Sequence, residues 1–70
     1  MPSTVIRSFD YLADREELVI EFNTGRRYVY SSVPEEVAAA MRGAFAKGVF
    51  FNRRIRAEYP CREIEPAQQL

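Results

Sequence analysis

The chain has no histidine, so it lacks the side chain most often used as a general base and as a zinc ligand. Its single cysteine, Cys61, has no internal partner, so no disulfide framework supports the fold, and this usage fits a reducing compartment. The three glycines, Gly25, Gly43 and Gly48, stand apart, which excludes a glycine-rich phosphate loop. Net charge is missing too: ten Lys and Arg balance ten Asp and Glu. Neither charge-driven disorder nor a global attraction to phosphate is therefore expected. No apolar run approaches the ~20 residues of a membrane helix. The stretch from Met1 to Arg7 lacks the apolar core of a secretory leader. These absences predict a cytoplasmic protein without membrane, metal or cofactor sites.

What is present bounds a small domain. The chain has 70 residues, 47% of them hydrophobic. A domain of ~60 residues buries only about 60% of its unfolded surface, which leaves little for an elaborate active site. We expect one domain over 1–62 and a frayed tail over 63–70. With no disulfide or metal to staple the fold, dimerisation is a further source of stability.

The first half reads as a three-stranded antiparallel meander. Residues 4–12 are rich in β-branched and aromatic side chains. Ile6 and Phe9 are three apart, which places a bulge near Arg7-Ser8. From Glu17 to Phe22 the pattern alternates, with Leu18, Ile20 and Phe22 on one face. Asn23-Thr24-Gly25 forms a turn, and Gly25 tolerates a positive φ. A three-residue loop pairs Glu21 with Arg27, Ile20 with Tyr28, Val19 with Val29 and Leu18 with Tyr30. That register sets opposite charges and two valines face to face. It puts Tyr28 and Tyr30 on the face of Leu18 and Ile20, under the helices, although the same tyrosines would serve to stack on bases if turned outward.

The second half reads as two helices, which makes the fold α+β with the order β-β-β-α-α. Ser32 with Glu35 offers a capping box; alternatively Val33 caps and Pro34 is the first helical residue. Val37, Met41, Ala44 and Phe45 form the apolar stripe of the first helix. Lys47-Gly48 reads as its end, a cation followed by a glycine cap. Phe51, Ile55 and Tyr59 at four-residue steps suggest a shorter second helix that Pro60 stops.

The neutral total conceals a split. Residues 1–41 carry a net −3, residues 42–62 a net +5, and the tail −2. The basic block holds Arg42, Lys47, Arg53, Arg54, Arg56 and Arg62 against Glu58 alone, with Phe50, Phe51 and Asn52 among them. Arginine forks suit phosphate, and basic residues interleaved with aromatics mark nucleic-acid grooves. A solvated helix face would look similar. Asn52 reads best as the cap of the second helix, with a base edge or a backbone group as other partners. Arg53, Arg54 and Arg56 have no structural task in this scheme and form the candidate phosphate-facing surface, with Arg42 and Lys47 nearby.

Catalysis finds little support. Glu16-Glu17 and Glu35-Glu36 are adjacent in sequence and diverge on their elements, unlike a paired-carboxylate site. Cys61 has Arg62 beside it but no histidine to serve as base.

Tyr28-x-Tyr30, Val33-Pro34, Lys47-Gly48-x-x-Phe51-Asn52-x-x-Ile55-Arg56 and Tyr59-Pro60, in this order and spacing, resemble the KTSC domain family. Ser3-x-x-Ile6 and Tyr11 agree with that pattern. The resemblance implies a small bacterial or phage domain, found alone or at the end of some lysyl-tRNA synthetases, with RNA as a suggested partner. Ala46 departs from it, standing where the pattern has a serine before the Lys-Gly pair. The expectation is thus a non-catalytic binding module, with tRNA or single-stranded RNA as the candidate partner. A protein-interaction or homodimerisation module is the alternative. Tyr28, Tyr30, Gly48, Phe51 and Ile55 are expected to be structural.

Overall fold

In the computed structural model, which describes residues 6–64, the meander forms as β1 (Ile6–Leu12), β2 (Glu17–Phe22) and β3 (Arg27–Tyr30). All neighbours are antiparallel, and the sheet order is β1-β2-β3-β4. The β2–β3 register is the expected one: Leu18 faces Tyr30, Val19 faces Val29, Ile20 faces Tyr28 and Glu21 faces Arg27. Gly25 takes φ +94° in the turn and donates its N–H to the Phe22 carbonyl at 2.8 Å. The β1–β2 pairing shifts between Ile6 and Ser8, at the expected bulge. Thr4 and Val5, read as part of the first strand, lie outside the described residues.

The fourth strand is new. Cys61–Ile64 forms β4 along the free side of β3, with Tyr30 opposite Cys61 and Val29 opposite Arg62. The stretch expected to fray from residue 63 thus contains Glu63 and Ile64 in a paired strand, while 65–70 lie outside the described residues. Strand β3 becomes an interior strand with a partner on each side.

The helices follow. Helix α1 spans Glu35–Gly43, one residue later than the scheme with Val33 as cap and two later than the one with Ser32 as cap. Pro34 is its N-cap, no side chain caps it, and Ser32 instead adopts φ +62° in the bend out of β3. Glu35 and Glu36 still occupy the first turn, where the helix dipole favours them. The helix ends at Gly43, short of Lys47-Gly48, and Ala44 turns extended. Glycine is about 1 kcal/mol poorer than alanine as a helix former, so the helix breaks where it is weakest.

Lys47-Gly48 therefore opens a helix instead of closing one. Helix α2 runs Lys47–Phe50 and continues directly into a π turn, Phe51–Ile55, where the Arg56 N–H reaches the Phe51 carbonyl at 2.9 Å. Tyr59 lies beyond the helix, partly buried against the core, and Pro60 accepts a hydrogen bond from the Ser31 N–H before β4 begins.

One face of the sheet and the two helical segments enclose the core: Leu18, Ile20, Tyr30, Val33, Ala38, Met41, Phe51 and Ile55. At ~25 cal/mol per Å² of apolar area removed from water, this burial is the main term holding the fold. The opposite sheet face carries ion pairs, Arg62 with Glu17 at 3.9 Å and Arg7 with Glu21 at 3.8 Å.

Candidate nucleic-acid interface

The short second helix has a buried side and a charged side. Phe51 and Ile55, four apart, both point into the core. Phe51 meets the rings of Phe22 at 5.6 Å and Tyr30 at 5.3 Å, both edge-on. Between and beyond them, Arg53, Arg54 and Arg56 are exposed. The π turn holds the first two of these arginines, and the third follows it directly. The Arg54 guanidinium sits 5.5 Å from the centroid of the half-buried Phe50 ring. Such a contact at an exposed site is worth ~0.5–1 kcal/mol and holds the side chain against the helix. Arg56 donates from Nη1 to the Asn52 Oδ1 at 3.3 Å.

Asn52 is not a helix cap. It sits inside the π turn, and the N-cap of α2 is Ala46, with φ −114° and ψ 97° and no side-chain hydrogen bond. The amide of Asn52 is instead the acceptor that positions Arg56. Lys47 is also committed: its Nζ donates to the Ala44 carbonyl at 2.9 Å. The cation thus lies against a carbonyl at the end of α1, where the dipole favours it, although the residue belongs to α2. Gly48 is the second residue of α2. Arg42 is exposed in the last turn of α1.

The basic block does not fold into a single face. Arg62, its last member, lies on β4 and pairs with Glu17 at 3.9 Å. Among the described residues the ion pairs are Arg7–Glu21, Arg26–Glu63 and Arg62–Glu17, so the helix arginines take part in none of them.

Tyr28 and Tyr30 belong to the sheet side of the core, as the register requires. Tyr30 is only 4% exposed. Burial first, then the neighbouring Cys61 thiol, pushes its pKa upward, with Arg56 opposing. Tyr28 is half-buried, with its ring 5.7 Å from Phe22. The Tyr28 hydroxyl, then Glu63, raise the pKa of the adjacent Arg26. Neither ring is turned outward to receive a base.

The expected apolar stripe of α1 loses its last two members, Ala44 and Phe45, which lie beyond Gly43. Phe45 does not join the buried stripe of α1: it is fully exposed in the connector between Gly43 and Lys47. The helix break at Gly43 removes it from the stripe. It stands just before the α2 N-cap, where an apolar residue commonly packs against the fourth helical residue, here Phe50. That staple is not made. Leaving a phenylalanine in water forgoes about 1.5–3 kcal/mol of burial. Val49, one turn on, is 48% exposed.

The KTSC domain family model matches residues 2–59. The chain belongs to the KTSC domain family. A KTSC domain protein from Yersinia pestis, known from a crystal structure, has the same fold at a TM-score of 0.84. It is 34% identical, and the match covers 93% of this chain and 90% of that one. Among curated relatives, a lysine–tRNA ligase from Nostoc punctiforme is 33% identical over 61 residues, 87% of this chain. The chain spans only 11% of that ligase. An uncharacterised protein from Stutzerimonas stutzeri is 32% identical over 59 residues, 84% of this chain and 83% of its own length. For the KTSC domain, then, the family and the α+β fold are settled, and no catalytic family is indicated over this span. No described helix is long and apolar enough to cross a membrane.

Proposed function

We propose that this KTSC domain is a non-catalytic, cytoplasmic RNA-binding module that presents the charged side of α2 and its π turn to phosphates. The observation that carries this reading is the set Arg53, Arg54 and Arg56. They are exposed within four consecutive positions and joined to no acid in the described ion pairs. Contacts to Phe50 and Asn52 hold two of them in place, which lowers the entropy lost when a phosphate is bound. Arg42 extends the positive surface from α1. Similarity to part of a lysine–tRNA ligase makes tRNA the first probe to use.

The test is a fluorescence-anisotropy titration with bulk tRNA at 50 and 200 mM salt. Three phosphate contacts release counterions enough to weaken binding roughly 20-fold across that range. Arg53→Glu with Arg56→Glu abolishes binding and leaves the circular dichroism melt in place. Affinity that survives the reversal, or that ignores salt, overturns the reading. The alternative, a protein-interaction or homodimerisation module, rests on the two sheet edges, β1 and β4. It requires a melting temperature that rises with protein concentration.

A further inference from the structure

We propose that Phe45 is a stacking platform for an unpaired base, so that the nucleic acid this domain takes is single-stranded. The inference rests on the RNA-binding reading above and names the form of the RNA. Phe45 is the outlier of the fold: a large aromatic side chain, fully exposed, at the position just before the α2 N-cap. The ring stands in a connector of small residues, Ala44 and Ala46, so no bulky neighbour in sequence shields its faces. Arg42 lies three residues before it in the last turn of α1, and Val49 in α2 and Arg53 in the π turn follow it in the chain.

This combination, an open aromatic face within a stretch of unneutralised arginines, is how proteins grip single strands without reading sequence. Arginines take the backbone and the ring takes a base. A duplex offers no free base face to such a ring. A protein partner fits less well. The exposed apolar surface is one phenylalanine, ~150–250 Å², and half a valine, against the ~800 Å² per partner of a standard interface. The surrounding charge is all of one sign from Arg42 to Ala57, which suits a polyanion.

The experiment compares the full chain with Phe45→Ala and Phe45→Trp. The probes are a single-stranded RNA of about 12 nucleotides and the duplex of the same sequence. The chain contains no tryptophan, so Phe45→Trp is a lone fluorophore at the proposed contact. Phe45→Ala is expected to weaken single-strand binding about tenfold with the salt slope unchanged. Phe45→Trp is expected to retain affinity, and its emission to be quenched by the single strand but not by the duplex. If Phe45→Ala binds the single strand as the parent does while Arg53→Glu with Arg56→Glu abolishes binding, the stacking proposal falls and the RNA reading stands. If the parent binds neither RNA, both fall. Loss of a self-association by Phe45→Ala, with RNA binding unchanged, also overturns the proposal and gives this surface to a protein partner.

Discussion

The Phe51 ring stands edge-on to the Tyr30 ring, with centroids 5.3 Å apart and planes at 83°. The two belong to the motifs that mark the family, one on the interior strand β3 and one at the start of the π turn. Their contact joins the sheet layer to the helix layer. Edge-to-face pairs add ~0.5–1.5 kcal/mol beyond the area they bury.

Phe51→Ala removes both of its aromatic contacts and leaves a cavity beneath Tyr30. The expected loss is about 3–5 kcal/mol. Small domains have a total stability of ~5 kcal/mol or somewhat more, so this variant is expected to be largely unfolded at 37 °C. Urea titration followed by circular dichroism checks it. A midpoint close to the parent's would show that Phe51 is not the joint between the layers.

Ala46 occupies a helix N-cap with extended backbone and an accepting carbonyl, the Phe50 N–H bonding to it at 3.1 Å, but no side chain to satisfy the next donors. A serine hydroxyl there would accept an N–H from the first turn of α2. Ala46→Ser is therefore expected to stabilise the domain by about 0.5–2 kcal/mol. Ala46→Val, which supplies no acceptor and is as poor an N-cap as alanine, serves as the control. An unchanged urea midpoint for Ala46→Ser would refute the capping argument.

Alkaline pH acts on the two tyrosines whose pKa the fold raises. Tyr11 donates to the Val33 carbonyl at 2.6 Å, and burial, then Glu16, Glu35 and Glu36, raise its pKa. Tyr30 is raised by burial and by Cys61. A phenol whose folded pKa lies above its unfolded value of ~10 contributes stability that is complete below pH ~10. That stability is lost as pH climbs through the higher folded values. The urea midpoint is thus expected to hold steady from pH 7 to about 9 and to fall above 10. The double variant Tyr11→Phe, Tyr30→Phe is less stable at neutral pH, since the Tyr11 hydrogen bond goes, but its curve is flatter above pH 10. An alkaline slope equal to the parent's would assign the loss to other groups.

The legible parts of this sequence are those where two local signals agree. The β2–β3 register could be read because Gly25, the Glu21–Arg27 pair and the Val19–Val29 pair all favour one alignment. Phe51 and Ile55 could be read because their spacing suits any helical segment placed over the sheet. The helix break could not. A lysine followed by a glycine marks a helix end, and Lys47 does reach the Ala44 carbonyl near that end, yet the residues themselves begin the next helix. Misplacing the break carried Phe45 into the core and made Asn52 a cap. The last strand left no local trace either. In Cys61-Arg62-Glu63-Ile64 the positions facing the helices, Cys61 and Glu63, are both exposed at the rim, so no apolar alternation is needed. Its strand form comes from pairing with β3, which is a tertiary fact. The arginines of the candidate site were legible by composition, but composition also counted Arg62, which the fold sends to the other face of the sheet.

Strand β4 yields the last test. Without it, β3 would be an edge. Tyr30 and Val29 are each 4% exposed, and Val29 faces away from the helices with Arg62 as its cross-strand partner. A chain cut after Pro60 removes that cover and opens the backbone groups of a strand that reads Arg-Tyr-Val-Tyr. An uncovered edge of this composition recruits another strand. The truncated protein is expected to have a lower urea midpoint and to sediment as a concentration-dependent oligomer, while the full chain does not acquire that behaviour from the β4 side. A control that keeps β4 but replaces Arg62 with Ala separates the two effects. It removes a partly exposed ion pair, worth ~0.2–1 kcal/mol, and the side chain opposite Val29, and leaves the edge paired. If the truncated chain keeps the parent's midpoint and sediments identically, β4 contributes nothing to the sheet, and three strands suffice to hold the fold.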